Sequence, residues 1–152
     1  LIMNIQGDEP LIDINDIKNL KSQMIKFHSK LGTLASKISD KRLYENQNIV
    51  KVMTKEDLNE TNFPEANYFI RRASNEKQNI YHHLGIYCYQ REILRKFISL
   101  DQSQNEIKNN LEQLRALDNG ININVALSKS HTIGIDTEKD FVAIKKIMEY
   151  KS

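Results

Sequence analysis

Short runs of β-branched and aromatic residues alternate with stretches in which apolar residues recur every three or four positions, and the alternation extends through both ends of the chain. A strand repeats every two residues and a helix every 3.6, so a chain that keeps switching between the two is confined to folds that layer helices on a sheet. The expectation is an α/β layered fold.

Leu1-Ile2-Met3-Asn4-Ile5-Gln6 is a mostly apolar run stopped by Gly7, the pattern of a strand buried on both faces. Asp13 stands at an N-cap position, and Ile14, Ile17, Leu20, Met24 and Phe27 follow at helical spacing. Residues 31–38 and 49–53 read as strands, 39–48 as a polar connection with a short helix, and 55–64 as a charged loop. A short strand is expected at 67–70 and a turn at 74–79, which has no apolar residue. Residues 80–89 form the strongest strand candidate, rich in Tyr and Ile and carrying His82, His83 and Gly85. Helices are expected at 92–100 and 105–117, the second with Ile107, Leu111, Leu114 and Leu117 on one face and a stop at Asp118-Asn119-Gly120. Residues 121–127 alternate as a half-exposed strand does. Thr137 and Asp140 are spaced for a capping box on a last helix, with Phe141, Ile144, Ile147 and Met148 inward.

A chain of 152 residues is one domain, 1–152, or a piece of a larger one. Lys and Arg number 22 against 20 Asp and Glu, and a net charge of +2 gives no reason to expect nucleic acid or a membrane surface as partner. Apolar residues make up 39%, enough for a core, and no run approaches the ~18 that a membrane helix needs. Cys88 stands alone, which excludes a disulfide framework and suits a reducing compartment. The chain opens on Leu1 inside a strand pattern, so the expectation is the C-terminal part of a longer protein.

Four places can carry chemistry. Gln6-Gly7-Asp8-Glu9-Pro10 puts carboxylates just past the carboxyl end of a strand, where open α/β sheets bind ligands. Asp8 there can hold Mg²⁺, a hard cation that prefers oxygen ligands, although the same residues suit a solvated turn. Asp136 either caps the last helix or converges with Asp8 on one metal. His83, Gly85 and Tyr87 share a strand face, which makes a polar floor for a sugar or an exposed sheet face. Cys88 points the other way, and no zinc ligand set exists. Glu112 and Arg115 are i, i+3 partners on a helix, and Arg71-Arg72 suits a carboxylate or phosphate or is surface charge. No GxSxG, Cys-His constellation or P-loop is present.

In order and spacing, these segments resemble the 3-deoxy-manno-octulosonate cytidylyltransferase family, the enzymes that make CMP-Kdo for lipopolysaccharide. The resemblance is carried by Asn4-Ile5-Gln6-Gly7-Asp8-Glu9-Pro10, Asn46-Gln47-Asn48-Ile49-Val50-Lys51-Val52, Tyr68-Phe69-Ile70-Arg71, His83-Leu84-Gly85-Ile86-Tyr87, Leu111-Glu112-Gln113-Leu114-Arg115-Ala116-Leu117 and Gly134-Ile135-Asp136-Thr137. It implies a nucleotide-diphospho-sugar transferase-like fold, a mixed sheet flanked by helices, here incomplete at the N-terminus. It implies Mg²⁺-dependent attack of the sugar acid's anomeric hydroxyl on the α-phosphate of CTP, giving CMP-Kdo and pyrophosphate. By the same resemblance Asp8 and Asp136 are the catalytic, metal-binding aspartates. Gln6, Arg71, His83, Tyr87, Glu112 and Gln113 surround a 3-deoxy-2-keto sugar acid, and Arg71 meets its carboxylate. A cytoplasmic homodimer joined through the middle strands is also implied, with no membrane insertion and no nucleic acid.

The sequence departs from the family at three places. The family's opening phosphate-binding loop, with the residues that hold cytosine and ribose, has no counterpart in the chain. Ile70 stands where the family has Ser, and the Ile-Pro-Trp-like stretch after the arginine is missing. A cytidylyltransferase for another acidic sugar of the sialic type, or an inactive sugar-binding and dimerising fragment, are the alternatives.

Overall fold

The computed structural model describes residues 1–6, 12–73 and 78–129, together with Val142 and Lys145. Its axis is a ten-residue strand, β5 (Ile80–Tyr89). In chain order the other elements are β1 (Ile2–Asn4), α1 (Ile14–Lys26), β2 (Leu31–Ser36), a 3₁₀ turn (Lys41–Tyr44), β3 (Lys51–Thr54) and β4 (Ala66–Ile70) before β5, then α2 (Arg91–Ile98), α3 (Gln104–Asn109), α4 (Gln113–Asp118) and β6 (Asn124–Leu127). Along one edge β5 pairs antiparallel with β2; along the other it pairs with β3 at its start and β1 at its end. β4 extends the β3 side, and β6 runs parallel to β2. The sheet is therefore mixed, with order β4-β3-β5-β2-β6 and β1 beside the last residues of β5.

Alternation along β5 sorts the two cores. Leu84, Ile86 and Cys88 meet Leu20 and Met24 of α1 on one face. Tyr81, Tyr87 and Tyr89 meet Phe97, Leu111 and Leu114 of the α2–α4 region on the other. The alternation survives an irregularity: Thr33 pairs with Tyr87 but Leu34 pairs with Leu84, which leaves Gly85 and Ile86 outside the register. A slip of two residues is one full pleat period, so no side chain changes face. α1 crosses β2 at Gly32, where a Cβ would stand 2.7 Å from Met24 Sδ and 2.8 Å from Phe63 Cζ.

Three sequence expectations are corrected. β1 is a strand, but it is not buried on both faces: Leu1, Ile2 and Ile5 are exposed, because β1 lies against only the end of β5 among the described residues. The inward stripe of α1 is Asp16, Leu20, Gln23 and Met24, while Ile14 and Phe27 are exposed. The helix turns its first-turn aspartate inward because that carboxylate accepts hydrogen bonds from Ser128 Oγ at 2.6 Å and Lys129 N at 3.1 Å. The helix expected over 105–117 is two helices, since Asn110 takes the left-handed conformation (φ 50°, ψ 50°) and ends α3. Leu111 and Leu114 are buried as expected, but the break turns Ile107 outward. The N-cap role of Asp13 is as expected, with Asn15 N donating to it at 2.8 Å. The last helix and its capping box lie outside the described residues.

Candidate functional site

Where β5 passes beneath the start of α4, a cavity of about 50 Å³ opens, lined by Gln6, Tyr87, Glu112 and Gln113 over Tyr89 and Phe97. The structure thus brings together four of the six residues expected around a sugar acid. Gln6 reaches the cavity from the end of β1 by lying over Gly85, where a Cβ would stand 2.9 Å from its Oε1. Among the described residues, the amides of Gln6 and Gln113 and the hydroxyl of Tyr87 make no hydrogen bond. Polar heads left uncommitted beside aromatic surface are what a polyhydroxylated ligand uses. Burial, with Tyr89 and Glu112 nearby, holds the Tyr87 hydroxyl well above the usual phenol range, so it stays protonated and able to donate.

His83 lies outside the lining and beneath Tyr87, their ring centroids 5.5 Å apart. It is buried, not part of an exposed sheet face, and packs edge-on against Phe69. Thr33 Oγ1 has one hydrogen, which it donates to Ile86 O at 2.7 Å within the β2–β5 irregularity. The 3.0 Å contact between that hydroxyl and His83 Nε2 is therefore donated by the histidine, which places its hydrogen on Nε2. Burial pushes its pKa down to about 3, with the neighbouring His82 adding to the shift. A neutral ring with its nitrogen committed supports Tyr87 rather than exchanging protons.

Arg71 also lies outside the lining, but it grips the α3–α4 junction that carries Glu112. Its Nε donates to Asn109 O at 3.2 Å, Nη2 to Asn110 O at 2.9 Å and Nη1 to Gln47 O at 3.1 Å. On the far side of that junction Glu106 accepts two hydrogen bonds from Arg115, Nη2 at 2.5 Å and Nε at 2.7 Å. The i, i+3 contact between Arg115 and Glu112 exists at 3.4 Å, but it is the weaker partnership and leaves the Glu112 carboxylate mostly in solvent.

Asp8 and Asp136 lie outside the described residues. The strands that lead toward them do not: β1, β2 and β6 run in one direction, and Asn4, Tyr87, Thr33 and Val125 form a single row across the sheet. β1 and β6, on opposite sides of the β5–β2 pair, finish at the same end of the sheet. Among the described residues, no cluster of three or more His, Cys, Asp or Glu side chains could hold a metal.

Sequence patterning missed Lys51, Glu106, Thr33 and Asp16. Each is a buried polar residue with a partner in another element: His83 for Thr33, Ser128 for Asp16, the Arg71 carbonyl for Lys51 and Arg115 for Glu106, pairings that leave no local period. The Lys51 side chain has no exposed surface, although it was legible only as one letter of a strand. The capping box of Ser103 and Glu106 was the one local signal among these four. No helix among the described residues is long and apolar enough to cross a membrane.

A solved CMP:2-keto-3-deoxy-manno-octonic acid synthetase, complexed with CTP, superposes on this chain with a TM-score of 0.82 at 30% identity, over 99% of this chain and 62% of that one. A UTP-bound UGPase from Acinetobacter baumannii superposes with a TM-score of 0.67 over 98% of this chain and 50% of its own, at 12% identity, a likeness of fold alone. The fold is therefore the one expected, a mixed sheet flanked by helices as in the nucleotide-diphospho-sugar transferases. The 3-deoxy-manno-octulosonate cytidylyltransferase of Bartonella tribocorum is 36% identical over 148 residues, covering 97% of this chain and 60% of the relative. That of Thermodesulfovibrio yellowstonii is 38% identical over 155 residues with the same coverages, 97% and 60%. The chain thus spans about 60% of the length of these relatives. A family model described as cytidylyltransferase matches residues 1–127, and the chain belongs to that family.

Proposed function

We propose that the protein acts in forming CMP-Kdo and pyrophosphate from CTP and 3-deoxy-D-manno-octulosonate, for lipopolysaccharide, as part of a larger cytidylyltransferase domain. The observation that carries this reading is the recess where Gln6, Tyr87, Glu112 and Gln113 meet, in a chain of the cytidylyltransferase family. In this reading the amides, the phenol and the carboxylate hydrogen-bond the sugar hydroxyls, while Arg71, bound to the α3–α4 junction that carries Glu112, meets the carboxylate. These side chains fix the anomeric hydroxyl for in-line attack on the α-phosphorus. The anomeric hydroxyl gives its proton to solvent as its oxygen bonds to phosphorus, the bond to the bridging oxygen breaks, and pyrophosphate leaves with that bond's electron pair. Positioning and electrostatics supply the catalysis, and no covalent nucleophile is required.

Asp8 and Asp136 would hold Mg²⁺. Two carboxylates are hard oxygen donors suited to that ion, and β1 and β6, which precede them in the chain, finish at the same end of the sheet. When bound, Mg²⁺ supplies charge compensation at the phosphates. We place the protein in the cytoplasm as a homodimer, the usual state in the family. The test is pyrophosphate release from CTP by the full-length protein, with 3-deoxy-D-manno-octulosonate and N-acetylneuraminate compared. Release with the first and loss of it in Asp8→Ala and Asp136→Ala are expected. Release only with the second would move the protein to the sialic-type enzymes, and unchanged release in both variants would remove the metal role.

A further inference from the structure

Lys51 is buried in an unusual way. A lysine in a strand ordinarily runs its stem along apolar surface and leaves the ammonium in water. Here the side chain has no exposed surface, and the ammonium donates to three main-chain carbonyls: Asn46 O at 2.6 Å, Ile49 O at 2.8 Å and Arg71 O at 2.6 Å. All three N–H bonds are used. Lys51 forms no ion pair within 4 Å among the described residues; its hydrogen-bond partners are carbonyl dipoles, and Glu45 acts on it only at longer range. Burying a cation carries a desolvation cost, and here that cost is set against three hydrogen bonds that tie separate segments of main chain together.

The three carbonyls show what the charge organises. Lys51 closes the 46–49 turn by holding Asn46 and Ile49, and Arg71 Nη1 donates to Gln47 of that same turn. Lys51 also holds the carbonyl of Arg71 itself. The base of the Arg71 side chain and one of its three anchors thus both depend on the ammonium. Of the five guanidinium N–H bonds, three go to Gln47, Asn109 and Asn110, one from each nitrogen. One N–H on each terminal nitrogen remains available to donate to a ligand oxygen.

We propose that Lys51 is a positioning residue, whose buried ammonium fixes the 46–49 turn and the Arg71 main chain so that the Arg71 guanidinium is held on the α3–α4 junction that carries Glu112. The consequence for the sugar acid rests on the reading of Arg71 as the partner of its carboxylate; the placement of Arg71 does not. Burial and the charge of Arg71 push the lysine pKa down to about 8, against the pull of Glu45. A cation surrounded by carbonyls behaves in this way when desolvation outweighs its partners.

The test replaces Lys51 with Met, which keeps the stem and removes the three donors. NMR follows the Nε–H signals of Arg71 and of Arg115, the latter bound to Glu106 and serving as the control for an intact fold. In Lys51→Met the Arg71 signal is expected to lose protection from solvent exchange while the Arg115 signal keeps it. Affinity for 3-deoxy-D-manno-octulosonate is expected to fall about tenfold or more, the scale of one charge-assisted contact. An Arg71 signal as protected as in the wild type overturns the proposal. If the wild type itself does not bind the sugar acid, the reading of Arg71 as its partner fails, and the exchange comparison still decides the role of Lys51. Loss of Arg115 protection would mean that Lys51→Met is unfolded. Lys51→Gln, with two N–H donors, then takes its place: partial Arg71 protection supports the proposal, and full wild-type protection overturns it.

Discussion

Gln6 lies across Gly85 so closely that a Cβ on the glycine would stand 2.9 Å from Gln6 Oε1. The contact joins the end of β1 to the point where β5 slips register against β2, and it carries the glutamine to the cavity beside Tyr87. Gly85→Ala is expected to keep the fold, because the obstructing atom is the far end of a flexible side chain. It displaces Gln6 and weakens sugar-acid binding by about tenfold, the worth of one hydrogen bond to a charged or strongly polar partner. Gly85→Val adds bulk between His83 and Tyr87 and is expected to cost about 1–3 kcal/mol of stability. Thermal unfolding and ligand titration of the two variants separate these effects.

Glu106 and Arg115 form a two-point ion pair with side chains 5% and 12% exposed, and Glu106 also accepts from Ser103 N at 3.2 Å to complete the cap of α3. Removing one partner leaves a charge with little access to water. Glu106→Ala is expected to destabilise the chain by roughly 3 kcal/mol in urea unfolding. The hydrogen bond from Arg115 holds the Glu106 carboxyl below its ordinary range. Its contribution is present above about pH 4.3, the value in the unfolded chain, and is lost as pH falls below that. The alanine variant should therefore lose less stability than the wild type between pH 5 and pH 3.

His83 sets a second pH limit with the same sign by another route. Its folded pKa is pushed down to about 3, so below the unfolded value of about 6.5 the unfolded chain takes up a proton that the native ring refuses. Stability is unaffected above that value and falls as pH drops through the window between the two. By pH 5 this cost reaches about 2 kcal/mol. Urea unfolding of the wild type at pH 7 and pH 5 should show the loss, and His83→Phe should remove about half of it, because burial pushes the neighbouring His82 down to about 4 and adds a cost of the same sign and similar size. A slope unchanged in that variant would show that the ring is charged in the native state.

Tyr81 closes the 55–64 loop against the sheet. Its hydroxyl donates to Asp57 and accepts from Leu58 N, and burial raises its pKa to about 12. Tyr81→Phe leaves the Leu58 N–H without that acceptor and is expected to cost about 1–3 kcal/mol. Hydrogen exchange should localise the effect, with Leu58 exchanging faster and the amides of α4 unchanged.

The strands and most helices were legible because their cause is local. The Tyr and Ile run marks the limits of β5, and the place of Asp13 before the apolar repeat marks it as the cap of α1. The break at Asn110 was not legible: residues 105–117 keep helical spacing throughout, and only a left-handed asparagine divides them. The inward turn of Asp16 depends on Ser128, 112 positions away, and the burial of Lys51 depends on Arg71 across the β3–β4 pair. Such pairings are set by topology, which a periodicity cannot carry. The candidate site was legible for the same reason as the family: Gln6, Tyr87, Glu112 and Gln113 belong to segments with a recognisable order, and the fold then brings those segments to one recess.

The most direct measurement is an NMR titration of the chain with 3-deoxy-D-manno-octulosonate, following the side-chain amides of Gln6 and Gln113, the Tyr87 ring and the Arg71 Nε–H. Saturable binding that shifts these four together, and that Gln113→Leu weakens, is the expected result. Binding that leaves them unmoved while other residues shift, or no binding by the wild type, would contradict the assignment of the recess to the sugar acid.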